Sequence, residues 1–144
     1  MIIYTMGFAQ KNAKTFFELL KKNNVEVLID IRLNNRSQLA GFTKGDDLAY
    51  FLQNLCGCAY YHEIGFAPTK EILDSYKNKQ TTWLEYEQAF LPLMEKRGAK
   101  ELFDKKFRNF QSVCLLCSEP TPEQCHRRLL AEILADSTDI VVHI

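Results

Sequence analysis

Five short apolar segments alternate with amphipathic helical patterns along the chain, and this alternation constrains the fold more than any other feature. The predicted strands are residues 2–5, 25–31, 59–62, 112–117 and 139–143. Strands that alternate with helices predict an α/β domain with a mostly parallel sheet. Segment 25–31 carries apolar residues on both faces, which is typical of an interior strand. We therefore expect a three-layer, Rossmann-like fold with about five strands and helices on both faces of the sheet.

Local sequence patterns predict where the helices begin and end. Helices are expected at residues 12–23, 46–56, 69–79, 99–110 and 122–135, with a further one that contains Trp83, Tyr86 and Phe90. Candidate N-caps are Asn12, Asp46 or Asp47, and Thr81 or Thr82. Pro92 is expected to break or kink its helix, because proline removes one backbone donor and crowds the preceding turn.

Composition narrows the class of protein. A chain of 144 residues is most simply one domain, residues 1–144. Its 18 basic and 18 acidic residues give a formal net charge of zero, which argues against wrapping nucleic acid by bulk electrostatics. The five cysteines are an odd number, and no secretory signal or membrane span is apparent. We therefore expect free thiols and a cytoplasmic location.

The polar residues cluster where a parallel sheet would gather them. In an open parallel sheet, ligands bind outside the carboxyl ends of the strands. The segments predicted there are residues 5–8, 30–37, 62–65 and 117–127. These segments lie far apart in the sequence, so their convergence at one edge of the sheet predicts a binding site.

Residues 113–128 are predicted to be a buried strand, a tight loop and the start of a helix. Thr121, followed by Pro122 and then Gln124, matches a capping box with proline at the first helical position. This places Cys125 and His126 in the first two turns of the helix, on the side that faces the sheet. A thiol near a helix N-terminus has its thiolate form favoured.

Helical spacing separates the two neighbouring arginines. Arg128 lies one turn before Glu132, so a surface ion pair is expected. Arg127 points between the two faces and can reach the ends of the strands. Arg127 is therefore the candidate ligand contact of the two.

Arginines near the predicted edge suit an anionic ligand, since guanidinium groups bind phosphate or carboxylate in a bidentate way. Arg32 and Arg127 are the expected anion contacts, with Arg36 close to Arg32 in sequence. The alternative is that they form ion pairs, Arg32 with Asp30 or Glu119 and Arg127 with Glu119. Glu119 then either transfers a proton or orients an arginine.

The cysteines and histidines allow both catalytic and purely structural interpretations. Cys125 is a candidate nucleophile with His126 or His62 as its base, or a small buried residue that packs helix against sheet. His126 is a candidate general base or a structural histidine. Strand alternation puts Cys114 and Cys117 on opposite faces, so their C-x-x-C spacing does not build a metal site. No cofactor is expected. A zinc or iron site would need Cys117, Cys125, His126 and a fourth ligand such as His62.

Several motifs together resemble a known family. They are Leu115-Leu116-Cys117-Ser118-Glu119 followed by Cys125-His126-Arg127, Thr5-Met6-Gly7, Asp30-Ile31-Arg32, Ser37, Gly65 and Val141-Val142-His143-Ile144. In these features, and over essentially its whole length, the chain resembles the family called domain of unknown function 488. The resemblance implies a site but no particular activity.

The chain departs from the family pattern in its first loop. The family usually has His-Ser after the first glycine, where this chain has Phe8 and Ala9, and a proline is common after the strand-two arginine, where Asn34 and Asn35 stand nearby. The departure in the first loop removes two polar groups from the expected site. It leaves open whether this member catalyses a reaction.

The resulting hypothesis is a small cytosolic protein with a polar pocket at the carboxyl ends of its strands. Its expected ligand is an anionic small molecule, a nucleotide or a nucleic-acid end, and whether it is an enzyme stays open. The alternatives are a non-catalytic module that binds nucleic acid or protein, and a metal-binding protein. The candidate ligand contacts are Gly7, Asp30, Arg32, Ser37, Cys117 and Arg127. The candidate catalytic residues are Glu119, Cys125 and His126.

Overall fold

The structure is a computed structural model that describes residues 1–36 and 40–144. Its strands are β1 (Ile2–Gly7), β2 (Val27–Asp30), β3 (Ala59–His62), β4 (Ser112–Cys117) and β5 (Ile140–His143). Its helices are α1 (Ala13–Lys22), α2 (Gly45–Cys56), α3 (Lys70–Lys77), α4 (Trp83–Lys96), α5 (Ala99–Phe107) and α6 (His126–Leu134). Short 3-10 turns at Gly41–Thr43 and Ile64–Phe66, which the sequence patterns did not predict, complete the described elements.

The five strands form one sheet in the order β3-β2-β4-β1-β5, and every pair is parallel. This confirms the predicted α/β class and strand number. The chain runs outward from β1 to β3 and then returns to insert β4 between β2 and β1. Because β4 is central, all six of its residues are buried. Gly7 is level with Cys117, and Asp30 with Leu116, so the carboxyl ends of the three inner strands lie side by side.

Alternation along the strands builds two cores, one on each face of the sheet. On one face, Met6, Cys114 and Leu116 pack with residues of α1 and α2. On the other, Leu115 and Cys117 pack with residues of α4, α5 and α6, while α3 lies against this core through partly buried side chains. Two helical layers therefore cover the sheet, as the three-layer prediction requires. Cys114 and Cys117 lie on opposite faces, which was also predicted.

Several helix ends match the sequence predictions. Asn12 caps α1 by accepting a hydrogen bond from the Thr15 amide at 2.8 Å. Thr82 and Glu85 form a capping box at the start of α4. The start of α2 was predicted wrongly: it begins at Gly45, and both Asp46 and Asp47 lie within its first turn, where carboxylates favour the positive end of the helix dipole.

Two predicted helix boundaries differ in the structure. Pro92 does not end α4, which continues through it, because this residue and Gln88, whose carbonyl loses its helical partner, are both exposed to water; the kink predicted as the alternative stays a prediction. Helix α6 begins at His126 with Cys125 as its extended N-cap, so the predicted capping box at Thr121 does not form. The carbonyl of the Gln124 side chain instead accepts a hydrogen bond from the Tyr76 hydroxyl at 3.0 Å, which removes the side chain that would have closed the box.

No helix in the described ranges is both long and apolar enough to cross a membrane.

Gly7 ends β1 against the loop that follows β4. A Cβ atom added there would lie 1.5 Å from the carbonyl oxygen of Glu119 and 2.8 Å from Nη1 of Arg127. Both distances are far below van der Waals contact, so only glycine lets the two chain segments meet.

Replacing this glycine should therefore destabilise the fold by overpacking. We expect Gly7→Ala to lower the free energy of unfolding on the order of 3 kcal/mol, measured by urea denaturation. Gly41→Ala is the matched control, because a Cβ atom at Gly41 meets none of the described residues within 4 Å, and its effect should stay within about 0.5 kcal/mol. Equal effects of the two substitutions would contradict this account of Gly7.

Candidate functional site

A cavity of about 610 Å³ opens at the carboxyl edge of the sheet. The loops after β1, β2 and β4 form one side, and α3 with the start of α4 forms the other. The lining residues are Phe8, Arg32, Leu33, Asn34, Pro68, Leu73, Tyr76, Lys77, Lys79, Thr81, Trp83, Tyr86, Cys117, Ser118, Glu119, Gln124, Cys125 and His126. This cavity therefore lies at the predicted edge of the sheet, and five of the predicted site residues line it.

Cys117, Cys125 and His126 lie together in the wall of this cavity. Cys117 is the last residue of β4, Cys125 caps α6, and His126 is the first residue of that helix. Their two sulfur atoms and one imidazole nitrogen all lie within 4.8 Å of one another. All three side chains are buried, and none is more than 9% exposed. The structure thus brings together three of the candidate residues that the sequence placed in one segment.

One hydrogen bond orients the imidazole of His126. Its Nε2 atom lies 3.0 Å from the carbonyl oxygen of Ile31. Because a carbonyl only accepts, Nε2 carries the proton, and in the neutral ring the lone pair lies on Nδ1. The ring also packs against Phe90 in an edge-to-face arrangement with centroids 5.5 Å apart. The ring is therefore held at Nε2, and the described residues make no hydrogen bond to Nδ1, which can accept one or bind an ion.

The two sulfurs differ in their electrostatics. Burial raises the pKa of the Cys117 thiol, but the hydrogen bond from Cys125 and the positive charges of His126, when protonated, and Arg127 lower this pKa by more, and it ends below its usual range. The hydrogen bond to Cys117 and burial both raise the pKa of Cys125. Of the two sulfurs, Cys117 is thus the one that favours the thiolate form. The catalytic roles predicted for Cys125, His126 and Glu119 stay predictions.

Arg127 does not line the cavity formed by the described residues. It is 1% exposed, and its Nη1 donates to the carbonyl of Glu119 at 2.6 Å and lies 3.7 Å from Sγ of Cys117. Its Nη2 lies 3.5 Å from the carbonyl of Pro120. The guanidinium therefore holds the β4–α6 loop from inside. The ion pair predicted with the Glu119 carboxylate does not form, because that side chain is exposed at the rim of the cavity.

Arg32 lines the cavity but is held from behind by Asp30. Nε and Nη2 of Arg32 bind the two carboxylate oxygens at 2.8 and 2.6 Å, and Nη2 also donates to the carbonyl of Thr43 at 2.7 Å. Tyr60 donates its hydroxyl to Asp30 at 2.7 Å, and burial together with the Asp30 charge raises the pKa of Tyr60, which keeps it a donor. Of the two predicted alternatives, the structure contains the Asp30 ion pair.

Phe8 covers the outer side of this arginine. The guanidinium carbon of Arg32 lies 5.3 Å from the centre of the Phe8 ring, a distance at which a cation and an aromatic face attract each other. The residue that replaces the family's usual histidine therefore shields Arg32 and contributes an apolar surface to the cavity.

Two further candidates lie away from the three-residue cluster. Nε2 of His62 lies 2.7 Å from the carbonyl oxygen of Arg32, and His62 does not belong to the cluster. The structure does not place His62 with the other three residues, and its role as a fourth metal ligand stays a prediction. Ser37, a predicted ligand contact, lies outside the described residues. Arg36 is exposed and is not a lining residue.

The wall formed by α3 and α4 was not among the predicted site residues. Trp83 and Tyr86 stack with centroids 4.9 Å apart, and Tyr76 packs against both rings. Lys77 and Lys79 are exposed at the edge of this wall. The i, i+3 spacing of Trp83 and Tyr86 suits core packing equally well. The single available clue was the run of aromatic and basic residues between 76 and 86.

The fold and the site together define an α/β protein with an all-parallel sheet and a pocket at its carboxyl edge, lined by two cysteines and a histidine. The family model called domain of unknown function DUF488 matches residues 12–134. The chain belongs to this family, which the resemblance predicted. Neither the curated proteins nor the solved structures that were compared with the chain gave a match.

The buried position of Arg127 generates a prediction about stability. Removing its side chain leaves a cavity and two carbonyls without their donor, so Arg127→Ala should lower the free energy of unfolding by about 3 kcal/mol, measured by urea denaturation. Arg128→Ala is the matched control. Arg128 forms partly exposed ion pairs with Glu87 and Glu132, and pairs of this kind contribute less than about 1 kcal/mol. A stable Arg127→Ala protein would refute the structural role of Arg127.

Proposed function

We propose that the pocket binds an anionic ligand with an aromatic ring, a nucleotide or the terminal nucleotide of a nucleic acid. The observation that carries this proposal is the pairing of a three-ring wall, Tyr76, Trp83 and Tyr86, with two exposed lysines, Lys77 and Lys79, at one cavity. Stacking on aromatic side chains stabilises a bound base by about 1–3 kcal/mol. Lysines at the edge of such a wall can bind the phosphate group of the same nucleotide.

The size and position of the cavity support this proposal. Small-molecule sites usually have volumes of about 300–1,000 Å³, and the cavity is about 610 Å³. It lies at the carboxyl edge of a parallel sheet, beside β4, where the chain reverses its direction across the sheet. Open α/β sheets bind their ligands at such a point.

The charge at the cavity also favours an anion. Glu119 is the sole carboxylate among the described lining residues, against Arg32, Lys77 and Lys79. Asp30 already neutralises Arg32 in a buried ion pair. The two lysines are therefore better placed than the predicted Arg32 and Arg127 to bind a phosphate, and we assign them that role.

Tryptophan fluorescence can test the proposal directly, because Trp83 is the single tryptophan of the chain and lines the cavity. Nucleoside mono- and triphosphates should quench or shift its emission in a saturable way, since a stacked base changes the environment of the indole. We expect Lys77→Ala combined with Lys79→Ala to weaken binding about tenfold, which corresponds to about 1.4 kcal/mol.

The matched control removes the same charge elsewhere. Lys96→Ala combined with Lys105→Ala replaces two exposed lysines outside the cavity and should leave the dissociation constant unchanged. Saturable binding of a single-stranded oligonucleotide without binding of mononucleotides would favour the interaction-module alternative. No change in emission with any nucleotide or oligonucleotide would overturn the proposal.

A further inference from the structure

We propose that Cys117, Cys125 and His126 form a binding site for one thiophilic divalent metal ion, of which zinc is the best match, with the fourth coordination position open to the cavity. This inference rests on the three-residue cluster and does not depend on the nucleotide proposal. The three residues come from two elements that the core fixes independently, the end of β4 and the start of α6.

The donor set suits such an ion. Two thiolates and one imidazole form a soft nitrogen and sulfur site, which favours zinc over magnesium or calcium. Sites with three protein ligands and one open position, including sites with two cysteines and one histidine, are characteristic of catalytic zinc. No fourth His, Cys, Asp or Glu joins the cluster within the described parts of the chain.

The distances require only a small adjustment. The two sulfurs and one imidazole nitrogen already lie within 4.8 Å of one another. A tetrahedral ion about 2.3 Å from each sulfur would place the two sulfurs about 3.8 Å apart. The two sulfurs therefore need to approach each other by about 1 Å at most, which is within the reach of side-chain rotation at Cys125, the residue in an extended N-cap conformation before the helix.

The surroundings of His126 resemble those of a metal-bound histidine. Histidine ligands usually donate their second ring N–H to a carbonyl or carboxylate, which fixes the tautomer and the ring orientation. Nε2 of His126 makes this contact with the carbonyl of Ile31 at 3.0 Å. Nδ1 is then the atom that would bind the ion.

The positive charge of Arg127 repels a metal ion bound by the cluster, and the two thiolates offset this repulsion. Nη1 of Arg127 lies 3.7 Å from Sγ of Cys117. Two thiolates and a divalent ion sum to zero, so the arginine leaves a net charge of +1. An anionic ligand at the open position would balance this charge. All three ligand residues line the cavity, so the open position can receive a ligand from it.

Cobalt(II) is the probe that tests the site, because it replaces zinc and has visible spectra that report its ligands. The full chain, freed of metal with a chelator and kept reduced, is titrated with Co²⁺. We expect one equivalent to bind, with d–d bands of a tetrahedral ion and a thiolate-to-cobalt charge-transfer band. Adding zinc should remove both sets of bands.

The variants assign the ligands. Cys117→Ser and Cys125→Ser should each reduce the charge-transfer band and weaken binding at least about 100-fold, since even indirect partners of a metal ligand contribute 10- to 100-fold. His126→Asn should weaken binding while it retains the band. The matched control is Cys114→Ala, which removes a thiol of the same strand on the opposite face of the sheet, and its spectrum should equal that of the unaltered protein.

The cobalt spectrum of the unaltered protein tests the metal site even if a ligand variant fails to fold. A charge-transfer band with the intensity of two thiolates per cobalt supports the site. Absence of the band, or its persistence at full intensity in folded Cys117→Ser, overturns the site. Nucleotide binding is measured separately by Trp83 emission in the metal-free protein, so failure of one proposal is distinguishable from failure of the other.

Discussion

The contact between the Arg127 guanidinium and the Glu119 carbonyl holds the β4–α6 loop, which forms one wall of the site. This hydrogen bond of 2.6 Å joins the first turn of α6 to the loop after β4. Both of its atoms lie close to Gly7, in space that a side chain at that position would occupy. Without it, the loop from Ser118 to Gln124 would have few internal restraints, since its residues are exposed or only partly buried. Arg127, which does not line the cavity, therefore adds a restraint on the β4–α6 loop to the core packing that holds Cys117 and Cys125.

A second buried charge fixes the neighbouring strand end. Asp30 and Arg32 are nearly inaccessible to solvent, and taking two charges out of water is unfavourable unless every polar atom finds a partner. Tyr60 and Thr43 provide additional partners. This arrangement links the end of β2 to β3 and to the segment before α2. It also fixes the direction in which the chain continues through Leu33 and Asn34, both of which line the cavity. In contrast, Nε of Arg127 is buried without a hydrogen-bond partner among the described residues.

The sequence was sufficient for the fold and for the polar edge, because both follow from short-range patterns. Alternating strands and helices imply a parallel sheet, and a parallel sheet implies a common edge, which correctly grouped Arg32, Cys117 and His126 at one cavity. The predictions that failed concern side chains whose partners come from tertiary structure and not from the local sequence. The capping box at Thr121 was locally plausible, but Tyr76, 48 residues from Gln124 in the chain, holds the side chain that it needed. Likewise, Arg127 reaches the strand ends as predicted, but its partners there are backbone carbonyls. Every residue has such a carbonyl, so the sequence gives no sign of which one an arginine will bind.

The two sides of the cavity differ in how firmly the fold holds them, and this difference bears on how a ligand would bind. The side formed by Cys117 and the start of α6 belongs to the central core, where strand β4 and most of α6 are buried. Helix α3 contains no fully buried residue, so opening it costs less free energy than opening the core. Its Tyr76 hydroxyl nevertheless bonds to Gln124 in the β4–α6 loop. A ligand that contacts Tyr76 would therefore act on the side of the pocket that opens at a lower cost in free energy, while Tyr86, Cys117 and Cys125 stay fixed in the central core. That combination suits a pocket in which α3 adjusts to a ligand and the remaining walls are preorganised.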